Sequence, residues 1–439
     1  MRCWMEQHEG LYRKIFVVIL GLAVFGLLAN VTDGQAKERT LKILATTGFS
    51  GPLAAMGAGY DRGMRMAIDE INEKGIKGFS GIEYKAVDSE CKPSTMLRKL
   101  RREAQTWKPD IVFGAILETT IRVWCAELPK FKIPGFVGGH LGLTKYLPPG
   151  EVPVSKWVNY YGFPEYFSGY LGGKLLHEKG VKRVGFIAAD YDWGYGNSWG
   201  LKGYWEDAGR PFEIVAFGYT PIEKVDLSTE VMMMKDAKLD AIYCPYTGSG
   251  WWALPKMLKD SGAMPEYFVW EISYSNMGSA KISGEYGAEG TYCIADHDPS
   301  TKAWRSFVKR WRDKYGEKSY PDAYGNNYYE GIYWAVKAFE KIGPDNKDPD
   351  KVVEVLQKTS VRNVNVGHMG PTCPYGTNQG AKGGIIQFVK GSSELDPSFN
   401  LHPIKDRVFD VPKMDLKQLL DTVKGMEKLE RGVKYPAAK

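Results

Sequence analysis

Apolar and polar positions along the chain alternate between two rhythms. Residues 41–47 (LKILATT) form a short, nearly continuous apolar run, the pattern of a buried strand. Residues 60–72 follow with Met64, Ala67, Ile68 and Ile71 on one stripe, which predicts a helix. The alternation continues with a strand at 82–88, a helix carrying Leu97, Leu100, Ala104 and Trp107, a strand at 110–114, a short helix, and a strand at 133–138. Strands alternating with helices predict a parallel, doubly wound α/β sheet with right-handed crossovers. The rhythm then restarts. Helices are predicted at 165–179, 197–208, about 226–238 and 250–261. Strands are predicted at 183–189, 212–217, 239–244 and 267–270. One sheet would not comfortably hold all of these units, so two similar half-structures are expected. Further helices are expected at 302–315 and 324–342, then a polar loop at 345–350 before another helix. The tail after Gly391, polar and carrying Pro397, Pro403 and Pro412, reads as a surface appendage.

The N-terminus has a different pattern. Arg13 and Lys14 precede an apolar run from Ile15 to Ala29, and small residues Gly34 and Ala36 suit cleavage before Lys37. A basic segment, an apolar segment and a small-residue cut describe a secretory signal over residues 1–36. The run is shorter than the roughly 20 residues a membrane span needs. Export to the periplasm is therefore expected, with no stable membrane insertion after cleavage. Composition changes this picture little. The 439 residues are 44% hydrophobic and 25% charged, ordinary for globular chains, and the length allows two or three domains. The net charge of +6 is scattered and carries no nucleic-acid signature. Five cysteines remain after Cys3 leaves with the signal: Cys91, Cys125, Cys244, Cys293 and Cys373. They match no zinc spacing, and an oxidising compartment permits one or two disulfides among them.

Three motifs mimic catalytic signatures. Gly57-Ala-Gly59-Tyr-Asp-Arg-Gly63 approximates a dinucleotide fingerprint, but it is spaced GxGxxxG and stands well after the first strand, so a loop and helix start is the expectation. Gly196-Asn-Ser198-Trp-Gly200 is formally GxSxG, but residues 190–195 separate it from its strand. Ser198 is placed in a first helical turn rather than on a nucleophile elbow, which leaves a serine hydrolase as a distant alternative. The six histidines are dispersed, and His297 between Asp296 and Asp298 reads as a solvated turn. No metal, cofactor or catalytic residue is expected. The loops that follow the strands are rich in small, polar and aromatic residues, which is how open α/β sheets build small-molecule clefts.

The chain resembles a known family at this point. Residues 41–72 (LKILATTGFSGPLAAMGAGYDRGMRMAIDEIN), 82–95 (IEYKAVDSECKPST), 183–196 and 324–343 are similar to the type I periplasmic solute-binding proteins of ABC transporters, the leucine/isoleucine/valine-binding group. The resemblance spans about residues 40–390. It implies two lobes joined by three hinge crossovers, lobe one being 40–160 with 292–366 and lobe two 161–291 with 367–439. It implies a non-enzymatic, monomeric protein that closes on a small polar ligand and delivers it to a membrane permease; a ligand-sensing module of the same fold is the alternative. The resemblance places Glu271 where relatives hold an α-ammonium, Trp193 over the ligand, Met56 and Tyr324 along the side-chain pocket, and Tyr246 and Thr247 as further contacts. One departure stands out. Where the family usually places a carboxylate-gripping serine this chain has Glu118, followed by Thr119, and a second gripping threonine is replaced by Gly139 beside His140. Two acids in one cleft imply a ligand with an amine, amide or guanidine-like donor.

Overall fold

The computed structural model describes residues 39–115, 117–139, 155–162, 165–274, 277–321, 324–346, 348–372, 378–392 and 400–410. The expected signal segment and Cys373 lie outside these.

The first half builds a five-stranded parallel sheet from β1 (Leu41–Thr47), β2 (Ile82–Asp88), β3 (Ile111–Gly114), β4 (Gly135–Val137) and β5 (Val158–Tyr160), in the order β2-β1-β3-β4-β5. Helices α1 (Ala54–Lys74), α2 (Pro93–Thr106) and α3 (Glu118–Phe131) connect the strands. The near-continuous burial of β1 is what a strand covered on both faces requires. The second sheet has seven strands, ordered β12-β11-β10-β9-β8-β6-β7. Its strands β6 (Arg183–Ala189), β7 (Glu213–Thr220), β8 (Ala241–Cys244), β9 (Tyr267–Trp270) and β10 (Tyr292–Ala295) run parallel. Helices α4 (Glu165–Glu178), α5 (Asp192–Asp207), α6 (Ser228–Asp236), α7 (Leu254–Asp260) and α8 (Met277–Ala288) belong to this half. The chain then returns to the first lobe through α9 (Lys302–Tyr315), α10 (Gly325–Ile342) and α11 (Pro349–Lys358). Thr301 and Asp348 cap α9 and α11 by accepting from backbone N–H groups of the first turn, and Pro349 opens α11.

Two differences from expectation concern the later chain. β10 pairs with β9 and β11, so the chain leaves the second sheet after Ala295 rather than at 292. The tail after Gly391 is also more than an appendage. β11 (Lys382–Lys390) and β12 (Leu401–Asp410) form an antiparallel hairpin that extends the second sheet, with β12 at its edge. Pro403, which suggested irregular chain, is accommodated because an edge strand can spare an N–H.

Both motif mimics are sites of close helix crossing. Residues 54–59 already belong to α1, which packs on α10; a Cβ on Gly63 would stand 2.0 Å from the Gly325 carbonyl oxygen. Residues 192–196 likewise belong to α5, which crosses α4, and a Cβ on Gly200 would stand 1.7 Å from the Tyr166 carbonyl oxygen. The glycines let backbones touch. Ser198 is buried in α5 and accepts a hydrogen bond from the Tyr219 hydroxyl at 2.7 Å.

The three segments that cross between lobes meet in one buried polar network. Tyr161, just after β5, donates to the Glu330 carboxylate of α10 at 2.8 Å. The other Glu330 oxygen accepts from the backbone N–H groups of Asn363, Val364 and Asn365 in the third crossover, at 2.9, 2.6 and 3.1 Å. Asn365 donates to Tyr161 and Asn327, and Asn326 donates to Asp296 in the second crossover and to Asn365. The N–H of Val366 reaches the Asp296 carbonyl at 2.9 Å. His297 is therefore no solvated turn: it is buried, stacked 3.7 Å from Trp304 and adjacent to Asp296. Burial pushes the Glu330 carboxyl above its ordinary value, against the backbone and tyrosine hydrogen bonds that favour its ionised form.

Within lobe one, Glu70 of α1 accepts from Tyr329 at 2.5 Å and Tyr333 at 2.7 Å of α10, and from Arg310 of α9 at 3.0 Å. Burial alone would raise its pKa, but the tyrosine and arginine hydrogen bonds outweigh it and hold the carboxyl below its ordinary 4.5. A depressed carboxyl contributes stability that is present above the unfolded pKa and lost as pH falls. The melting-temperature advantage of the wild type over Glu70→Gln should therefore be full at pH 7 and shrink progressively below pH 4.5. At the hinge, Glu330→Ala would leave three N–H groups without their acceptor and should cost about 2–4 kcal/mol in denaturant unfolding. Glu330→Gln keeps an acceptor oxygen and should cost clearly less.

Candidate functional site

A parallel strand ends with its chain turning toward the next helix, so the loops at the carboxyl ends of the strands collect on one side of each sheet. Every described sequence-predicted site residue lies on such a connection, at the start of the helix that follows one, or, for Tyr324, at the cap of α10. In the second lobe, Glu271 directly follows β9 and is fully buried. Thr247, three residues past β8, donates its hydroxyl to Glu271 at 3.0 Å. The structure thus brings these two predicted residues together. The charge of Glu271 is felt at the neighbouring strands: burial first, and Glu271 second or third, push the Cys293 and Cys244 thiols well above their ordinary range.

An aromatic cluster backs this corner. Trp270 stacks on Tyr274 at 4.2 Å, and Trp251 meets both rings edge-on at 6.2 Å. Trp252 completes it, 3.9 Å from Trp251. The sequence marks the loops 246–252 and 271–276 as aromatic-rich, but not which of their rings pack together, because aromatic residues look the same in a core and in a pocket wall. Tyr246 has a different task from its neighbour Thr247. Its hydroxyl donates to the carbonyls of Pro221 and Lys224, at 3.3 and 3.1 Å, and so ties down the 221–224 loop. Trp193 is the second residue of α5 and is buried. Its carbonyl accepts from Asn197, whose side-chain oxygen in turn accepts from Tyr243, so α5 is fastened to β8 beneath the tryptophan.

In the first lobe, Met56 lies in the first turn of α1 and is buried. Tyr324 caps α10 in the left-handed conformation, φ 59°, with its ring edge-on to Tyr60 at 6.0 Å. Tyr60 stacks on Tyr328 at 4.4 Å, so the Tyr324 ring rests on a fixed aromatic base. Thr119 and Thr120 divide their roles. Thr120 is buried and its hydroxyl is spent on the helix start, donating to the Leu117 carbonyl at 2.6 Å and accepting from the Leu117 N–H at 3.2 Å. Thr119 is exposed. A Cβ on Gly139 would meet nothing within 4 Å among the described residues. The Glu118 side chain and all of His140 lie outside the described residues, although the backbone places Glu118 as the first residue of α3.

The two sets of strand ends meet through an ion pair that the sequence did not single out. Arg122 of α3 and Asp192, the first residue of α5, form a hydrogen-bonded pair between the lobes. Burial pushes the Asp192 carboxyl up to about 6, and Arg122 only partly offsets this. Nothing in the local sequence marks either residue, because each is an ordinary charge near a helix start until the lobes are assembled. Among the described residues no group of three or more His, Cys, Asp or Glu could hold a metal ion, and Cys91, Cys125, Cys244 and Cys293 are free thiols. No helix of the described residues is long and apolar enough to cross a membrane.

Comparison with known proteins agrees with this architecture. The sequence profile of the periplasmic binding protein family matches residues 40–383. No curated protein sequence matches the chain significantly. Among solved structures, the branched-chain amino acid transporter substrate-binding protein LivJ of Streptococcus pneumoniae, in complex with isoleucine, aligns with a TM-score of 0.70 at 17% identity, covering 84% of this chain and 100% of that one. An ABC-transporter solute-binding protein of Rhodopseudomonas palustris, in complex with 3,4-dihydroxybenzoic acid, aligns at 0.72 and 17% identity, covering 85% and 98%. A leucine-, isoleucine-, valine-, threonine- and alanine-binding protein of Brucella ovis, in a closed conformation, aligns at 0.70 and 16% identity, covering 85% and 95%.

Thr247 and Tyr246 are adjacent yet differently engaged, which separates their expected phenotypes. Thr247→Val removes a donor to Glu271 and should weaken ligand binding roughly 10- to 150-fold in isothermal titration, the range expected for losing one hydrogen bond to a charged group. Tyr246→Phe should lower thermal stability by about 1 kcal/mol and leave affinity nearly unchanged.

Proposed function

The chain belongs to the periplasmic binding protein family, and from that premise we propose that it captures a small polar molecule between its two lobes and delivers it to an ABC-type importer. Capture occurs in the periplasm, after removal of residues 1–36, and involves no chemistry on the ligand. The observation that carries this reading is the Glu271–Thr247 pair: a fully buried carboxylate at the end of a central strand, oriented by a neighbouring hydroxyl and backed by aromatic rings. A buried acid in such a position favours a cationic or strongly donating group beside it through a charge-assisted hydrogen bond. Trp193, Met56 and Tyr324 supply apolar and aromatic surface, while Thr119 and Gly139 lie on the first-lobe side.

The similar structures carry isoleucine and 3,4-dihydroxybenzoic acid, so this fold accommodates both amino acids and aromatic acids. Glu271, with Glu118 as a second acid in the sequence of the first lobe, selects against a simple anion. The ligand class is therefore an amino acid, amide, amine or related compound bearing at least one N–H donor. Closure about the three crossovers buries this ligand and presents the closed face to the permease.

A thermal-shift screen over amino acids, amides, amines and aromatic acids tests the reading, because a ligand that binds only the folded state raises the melting temperature. The hit should carry a donor, and Glu271→Ala should weaken it by roughly 10- to 1000-fold. A donor-free anion as the tightest hit, or unchanged binding by Glu271→Ala, would refute this assignment of the cleft.

A further inference from the structure

The amino ends of the first-lobe strands face away from the cleft, and they hold a recess of about 410 Å³. That volume is within the range of small-molecule sites. Arg39 before β1, Pro109 before β3 and Pro134 before β4 all line it. The strands themselves put on the order of 10–20 Å between this recess and the loops at their carboxyl ends. Its floor is apolar, from Phe131, Ile133, Ile342 and Val352. Its rim carries three cations. Arg39 donates from Nη1 to both Asp110 oxygens at 2.8 Å and from Nε to the Pro344 carbonyl at 2.9 Å, which fixes its guanidinium in place. Lys108 and Lys132 make no ion pair or side-chain hydrogen bond among the described residues. Asp350 is within electrostatic reach of Lys132, but its ion pair is with Lys156. Both rim lysines stand just past a helix, α2 and α3 respectively, with φ 55°. Glycine is the usual residue in that left-handed conformation. The chain thus keeps a cationic side chain at two positions where glycine would strain the backbone less.

We propose that this recess is a second ligand site, separate from the interlobe cleft, for a small amphipathic anion: an alkyl or aryl carboxylate. An apolar floor under a cationic rim suits a ligand with an apolar body and an anionic head, and neither part alone. The carboxyl ends of α2, α3 and α10 converge here and bring roughly half a negative charge each. Asp110 is the one acid lining the recess among the described residues, and it is already engaged by Arg39. Three full cations outweigh these charges, and the amino end of α11, whose first residue Pro349 also lines the recess, adds to them. The carboxylate head lies between Lys108, Lys132 and Arg39, where charge-assisted hydrogen bonds hold it. The apolar body covers Ile133 and Val352 and removes them from water. The inference goes beyond the capture reading and does not depend on what the cleft binds.

Isothermal titration of the mature chain with sodium octanoate and sodium benzoate tests this. At least one of the two should bind with a Kd below about 1 mM. Octylammonium, with the apolar body of octanoate and the opposite charge, should bind at least tenfold more weakly than octanoate. The double variant Lys108→Glu/Lys132→Glu should weaken the bound carboxylate by roughly 10- to 100-fold, the range expected when charge-assisted contacts are lost. Lys108→Arg/Lys132→Arg should restore it to within a few fold. Val352→Trp fills the recess while keeping all three cations, and should also abolish binding. Both lysines are exposed, so the charge reversal should leave the circular dichroism spectrum unchanged. Should Val352→Trp fail to fold, the charge-reversal and arginine variants carry the comparison alone. Absence of binding by both carboxylates would overturn the proposal. So would undiminished binding by the folded charge-reversal variant, which would assign the carboxylate to another site such as the cleft. The lysine variants lie at the opposite strand ends from Glu271 and should bind any cleft ligand as the wild type does, so failure of this site leaves the capture reading standing. A screen that finds no cleft ligand would equally leave these titrations unaffected.

Discussion

Glu330 sits where three separate stretches of chain must pass one another without unsatisfied polar groups. Its carboxylate takes three backbone N–H groups of the third crossover on one oxygen and the Tyr161 hydroxyl of the first crossover on the other. Crossover segments cannot use sheet ladders to pair their backbone, since they lie between sheets. Buried N–H groups left without acceptors would each cost free energy comparable to the hydrogen bond they lack. A buried acid on α10 solves this for the third crossover, and Asn326, Asn327 and Asn365 extend the solution to the second. The two lobes take their relative position from this small set of side chains, and the strand ends that form the candidate site are aimed by it.

Close helix crossings provide the second constraint. Glycines at 194 and 200 let α5 lie with backbone in contact against Ala189 at the end of β6 and against Tyr166 of α4, and Gly196 leaves room for the Glu165 side chain. Glycine is a poor helix former, costing up to about 1 kcal/mol relative to alanine per position. Packing against α4 overrides that preference. The consequence reaches the site directly, because the extra turn carries both Trp193 and Asp192 to the border of the cleft.

The charges near the cleft behave as a connected set. Glu271 is buried and held by Thr247, while Asp192 is buried and held by Arg122. The first lies at the end of a central strand of the second lobe, and the second pairs with the opposite lobe itself. Burial raises the Asp192 carboxyl to about 6, and its arginine offsets this only in part. A contact of that kind specifies geometry more than it supplies net stability.

The hydrophobic rhythm of the chain determined the fold class by itself, because a strand buried on both faces and an amphipathic helix leave different periodicities in sequence. Strands β1, β2, β3, β6 and β9 lie close to where their apolar runs place them. The same pattern could not locate β12, since the tail is polar and proline-bearing and gains strand structure only by pairing with β11 at the edge of the second sheet. Local sequence read Gly57–Gly63 and Gly196–Gly200 as loop and helix-start positions, whereas tertiary contact made them helix crossings. It read His297 as solvated, whereas the convergence of three crossovers buried it. Sequence named Glu271 and Thr247 as site residues, but only the assembled strand ends showed that one orients the other and that the Tyr246 hydroxyl is engaged outside the pair. Arg122 and Asp192 are 70 residues apart in the chain, and no local pattern encodes a contact that exists only when two separately folded lobes meet.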